Sequence, residues 1–153
     1  MTPTYFGRVQ TRLFVLAFIG GLWTLIITPF LPAAAGAALH TKYQATFTVL
    51  AVVFVLGIVW DAIWYFLQQF RWEKDWPIMY QLLTGIPEGI VAWLVLKTRD
   101  VPGHPILTGT AFDIHFTTVW ILTYLFTIGP MRVPFLRWRF RGGRLIGGGG
   151  PVT

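Results

Sequence analysis

Residues 45–67 read ATFTVLAVVFVLGIVWDAIWYFL. The run holds one ionisable side chain, Asp61, and no proline. A bilayer-spanning helix needs roughly 20 predominantly apolar residues, so the run reads as a transmembrane helix. Three other stretches match it in character: about Arg12 to Leu31, Pro77 to Leu96, and Ile114 to about Ile128. Pro29 and Pro32 close the first. Pro77 opens the third at the position where a missing N–H costs nothing, and Gly129-Pro130 stops the fourth, because proline cannot extend the hydrogen-bond ladder. The expected fold is all-α: an integral membrane bundle of four transmembrane helices over residues 1–131, followed by a tail over residues 132–153.

The whole composition agrees with that reading. Hydrophobic residues make up 55% and charged residues 12%, where soluble domains carry about 25% charged residues. So few charges cannot cover a water-facing surface. Eight Trp and thirteen Phe suit a chain that meets both bilayer interfaces with aromatic rings. Cysteine is absent, which removes disulfides, thiol nucleophiles and Cys-ligated metal. The stretch Ala33-Ala34-Ala35-Gly36-Ala37-Ala38 resembles a signal-peptide cleavage site. The preceding apolar run, Leu13 to Leu31, exceeds the roughly 7–15 residues of a signal peptide's apolar region, and a retained span is expected.

Lys and Arg placement sets the orientation. With the N-terminus inside, Arg8, Arg12, Arg71, Lys74, Arg132, Arg137, Arg139, Arg141 and Arg144 are cytoplasmic, and only Lys42, Lys97 and Arg99 are outside. That bias places both termini in the cytoplasm of a cell (inner or plasma) membrane. The net charge of +6 therefore reads as a topology signal and not as a nucleic-acid surface. Arg137-Trp138-Arg139-Phe140-Arg141 is expected to anchor on anionic lipid, each Arg contributing about 1 kcal/mol. The glycines of residues 147–150 read as a flexible end.

Ionisable groups within spans are costly and call for an explanation. Two stand out, Asp61 and Glu88. Gln81, Thr84 and Glu88 recur at helical spacing on the third span, as do Gly57, Asp61, Trp64 and Gln68 on the second. An antiparallel hairpin then sets Asp61 near Thr84 and Glu88, and Gln68 near Gln81. Gly57, Gly85 and Gly89 are expected to let helices approach closely. Within Gly85-Ile86-Pro87-Glu88-Gly89, Pro87 predicts a helix break at membrane depth. The polar face serves either as an ion or proton pathway or as hydrogen-bonded helix and subunit pairing.

His40, His104, Asp113 and His115 fall on the outer side. Their donor types suit Zn²⁺ or Cu²⁺ but their spacing matches no metal motif, and Asp113 equally suits a helix N-cap. No metal or other cofactor is expected. The span threonines, Thr24 and Thr28 among them, are expected to bond their own preceding turns. The chain carries no Walker loop, Ser-His-Asp set or metalloprotease motif. The expected role is non-enzymatic: an accessory or assembly subunit of a larger membrane complex, partnered by lipids and other membrane subunits. The alternative is a homo-oligomeric ion or proton conductor that uses Asp61 and Glu88.

Overall fold

The computed structural model describes residues 4–33, 36–70, 82–98, 108–134 and 144–146. Regular structure among them is helical, with no strand. The first segment is one continuous rod, Tyr5–Phe30. It comprises α1 (Tyr5–Val15), a π turn (Leu16–Gly20), α2 (Gly21–Ile27) and a 3₁₀ turn (Thr28–Phe30). Thr4 caps it, its hydroxyl accepting the Gly7 N–H at 3.2 Å, which satisfies one of the orphan donors at a helix start. The helix thus begins seven residues before the expected boundary at Arg12.

Helix α3 spans Leu39–Gln68, 30 residues, or about 45 Å, which is longer than the roughly 30 Å hydrocarbon core. Helix α4, Gly85–Thr98, has 14 residues. Residues 82–83 before it are helical and Thr84 is a turn. The described break therefore falls at Thr84, in the turn that Pro87 disturbs by its clash with the carbonyl of Leu83, four residues earlier. Pro87 sits in the first turn of α4, where the helix has no use for its N–H. The expected helix start at Pro77 lies outside the described residues.

Helix α5, Gly109–Ile128, starts before the expected boundary at Ile114. Its N-cap is Thr108, whose hydroxyl accepts from Ala111 N at 3.1 Å. Asp113 and His115 consequently lie within the helix, and Asp113 is not the cap. Among the described residues, three segments are long and apolar enough to cross a membrane: Tyr5–Phe30, Leu39–Leu67 and Gly109–Arg132. As described, α4 falls short of that length.

The first segment packs against both α3 and α5, while α4 packs on α3 and touches α5. Leu16, Val49, Val53, Ala92, Leu96 and Val119 fill the centre together with Phe112. Leu22, Ile26, Val55, Val59, Ile90 and Leu125 point outward, each at least half exposed. An apolar belt of this extent suits lipid and not water.

The π turn decides which residues the first segment turns inward. Arg12 and Thr24 are twelve residues apart, and in an unbroken α-helix at about 100° per residue they would diverge by about 120°. A π turn absorbs one extra residue, so they sit as if eleven apart, about 20° from alignment. Leu16, Gly20, Thr24 and Thr28 are accordingly all buried on the inward side. The Gly21 N–H reaching back to Leu16 O is the five-residue bond of that turn.

Candidate functional site

Interior side chains form three layers along the bundle. The innermost holds Arg12 of α1, which reaches two acidic residues on two other helices. Its Nε donates to Asp61 Oδ2 at 2.9 Å and its Nη2 to Asp61 Oδ1 at 3.2 Å, a two-pronged pairing. Its Nη1 donates to Glu88 Oε1 at 2.8 Å. Asp61 is 7% exposed and Glu88 6%. Arg8, one turn earlier, interacts electrostatically with both Asp61 and Arg12. Two cations thus meet two carboxylates, and the layer is formally neutral. The fork of a guanidinium suits this geometry, because it presents several donors in one plane toward different acceptors.

Gly57 makes room for the cluster. It lies one turn from Asp61, and a Cβ there would overlap the Arg12 guanidinium. Gly85 and Gly89 serve in the same way toward α5: Cβ atoms on them would run into the rings of Trp120 and Phe116. The three glycines therefore receive large side chains from neighbouring helices. Phe112, Phe116 and Trp120 form a ladder down α5, with ring centroids 5.5 and 6.2 Å apart.

The middle layer is apolar, built from Leu16, Gly20, Val53, Ala92 and Val119. It separates the ionic cluster from a second polar layer nearer the other end. There Thr24, Thr28, Thr46 and His115 are each at most 3% exposed. Thr24 and Thr28 do donate to their own preceding turns, to Gly20 O and Thr24 O. Their oxygens also bond across helices, Thr28 to Thr46 at 2.9 Å and Thr24 to His115 Nε2 at 2.9 Å. Trp23 Nε1 donates to Thr118 Oγ1 at 2.9 Å.

Comparison with known proteins leaves this arrangement standing alone. No family model, curated protein or solved structure matches the chain.

The structure brings Asp61 and Glu88 together through Arg12. Thr84 lies in the turn before α4, and Gln68 is the last residue of α3. Gln81, the Gln68 side chain, and Arg137-Trp138-Arg139-Phe140-Arg141 lie outside the described residues. The outer donor set is not assembled: His40 is exposed and bonds its neighbour Thr41, Asp113 is exposed on α5, and His115 is buried. His104 lies outside the described residues, and among those described no three His, Cys, Asp or Glu residues gather at a metal-binding distance.

Arg12 and His115 are the residues whose place the sequence reading missed. Arg12 reads as a cytoplasmic flank because the apolar run begins after it. Thr4 carried a usable signal: taken as an N-cap, it puts Arg12 two turns inside the helix. Thr108 carried the same signal for His115. The chemistry available at the ionic layer is charge pairing. A guanidinium holds its proton at any physiological pH, so Arg12 remains a cation there.

Proposed function

We propose that the chain is a non-enzymatic, four-span protein of the cell membrane that acts as an accessory or assembly subunit of a larger membrane complex. The observation that carries this reading is the intrachain pairing of both buried carboxylates with Arg12. With Arg8 beside them as the second cation, the two acidic groups have their counter-charges, so the bundle closes on itself and needs no second copy or transported cation to neutralise it. The apolar middle layer supports the same view by sealing the interior. What the chain then offers a partner is its outer surface of aliphatic and aromatic side chains.

The test is gentle extraction of the native protein, with mass determination of what travels with it. The reading expects larger subunits in fixed stoichiometry. A homogeneous oligomer of this chain alone would overturn it.

One observation favours the second reading, a gated ion or proton conductor. Polar layers lie on both sides of a thin apolar one, an arrangement in which a constriction opens by wetting. In that reading Asp61→Asn and Glu88→Gln abolish flux in liposomes while the fold persists, and unchanged flux in both variants ends it.

A further inference from the structure

His115 is a buried titratable group that takes no part in the ionic layer. The hydrogens around it can be assigned from geometry. The Thr24 hydroxyl has one proton and donates it to Gly20 O at 2.7 Å. With the proton placed there, its 2.9 Å contact with His115 Nε2 has the imidazole as donor. A neutral imidazole has a single N–H, so Nδ1 is a bare acceptor. It is buried, and among the described residues it has no hydrogen-bond partner. A buried polar atom without a partner is destabilising, and His115 is 1% exposed in the packed interior.

No charge next to it compensates. On the first segment the basic groups are Arg8 and Arg12, three turns or more away along the rod, with Arg12 engaged by Asp61 and Glu88. On α3, Lys42 donates to Leu31 O and His40 bonds Thr41. On α4, Glu88 pairs with Arg12, and Lys97 lies over the Trp93 ring. On α5 itself, Asp113 is exposed. A crevice at the same end of the bundle is lined by Thr28, Pro32, Lys42, Thr46 and Ala111. Thr28 and Ala111 stand one turn from Thr24 and His115.

We propose that His115 is a proton-binding site of this half of the bundle, and that proton uptake loosens α5 from α2. The proton, from the aqueous phase outside, bonds to the Nδ1 lone pair and no bond is broken. The resulting imidazolium has two N–H donors but only Thr24 Oγ1 to receive them. A second donor and a full charge are then buried without acceptor or counter-ion, a state that costs several kcal/mol. Water reaching Nδ1 through a parted α2–α5 contact relieves it, so acid favours the open form. The inference is independent of whether the chain is an accessory subunit or a conductor.

The test uses the full chain in lipid nanodiscs with ¹⁵N-labelled histidine, the His115 signals being assigned by their loss in His115→Gln. At about pH 7.5 the His115 ring should be the Nε2–H tautomer, and it should gain a second proton as the sample is acidified. Over the same range, amide exchange in residues 24–28 and 111–119 should quicken by at least about tenfold. His115→Gln and His115→Phe should lose that acceleration. An Nδ1–H tautomer at neutral pH overturns the proposal without any variant. So does a ring that stays neutral throughout, protonation with unchanged exchange, or the same acid response in both variants.

Discussion

Arg12 keeps its proton under all ordinary conditions, so the stability of the ionic layer rests on whether Asp61 and Glu88 both reach it. Arg12→Met should leave two buried carboxylates with Arg8 as the nearby cation, and removal of one partner from a buried pair costs about 3–5 kcal/mol. A large drop in the thermal unfolding midpoint in detergent is the expected result. Replacing the whole set, Arg12→Met with Asp61→Leu and Glu88→Leu, should recover most of the loss, since apolar residues of similar volume commonly substitute for buried ion pairs without net cost. Gly57 gives a second test. Gly57→Ala should destabilise the wild type, because its Cβ meets the guanidinium, and should cost far less beside Arg12→Met. A coupling of about 1–3 kcal/mol between the two is expected, and additive effects would show that Arg12 is free to move aside. Asp61 and Glu88 were legible in the sequence because a carboxylate inside an apolar run stands out against its neighbours. Arg12 was not. A long side chain at the margin of a run reads as interfacial, and only the packing of three helices shows that it turns inward.

Among the elements, the end of α3 was readable to within a residue, because an apolar run of that length is helical in lipid, but its start at Leu39 falls six residues before the expected Ala45. The start of α5 was missed by five. For α4, Pro87 signals the turn at Thr84, because its ring disturbs the carbonyl four residues earlier. The indole of Trp120, which occupies the space of a side chain at Gly85, has no local signature. Gly109-Thr110 reads as loop until Thr108 is recognised as the cap. The π turn in the first segment is likewise invisible in hydropathy, but it makes a sharp prediction. It works as a one-residue insertion, so deleting the exposed Phe18 should restore a regular helix with Arg12 and Thr24 still inward, at little cost. Inserting an alanine after Phe18 should rotate α2 by about 100° and turn Thr24 and Thr28 away from His115 and Thr46. Since the chain has no native cysteine, a Thr28→Cys/Thr46→Cys pair reports directly. Its disulfide should form in the parent and in the deletion, and fail in the insertion.

For the whole molecule the question is how many times the chain crosses. Helix α4 alone is about 21 Å long, too short to cross by itself, but its ends match levels set by the other helices. Glu88 lies at the depth of Arg12 and Asp61, while Trp93 stacks near Phe112 at the start of α5, with centroids 5.0 Å apart. Thr108 in turn reaches Pro32 O, just past the end of the first segment. Helix α4 therefore runs from the ionic layer to the opposite end of the bundle. Charge argues the same way. With four crossings the Lys and Arg divide nine against three; if α4 did not cross, the tail would change sides and the division would be six against six. Only the first is a bias that orients a membrane protein. Single cysteines at Thr41, Gln69 and Thr98, probed on intact cells with a membrane-impermeant maleimide, decide it. Labelling is expected at Thr41→Cys and Thr98→Cys and not at Gln69→Cys. Labelling of Gln69→Cys alone would invert the orientation, and Gln69→Cys and Thr98→Cys behaving alike would reduce the crossings to three.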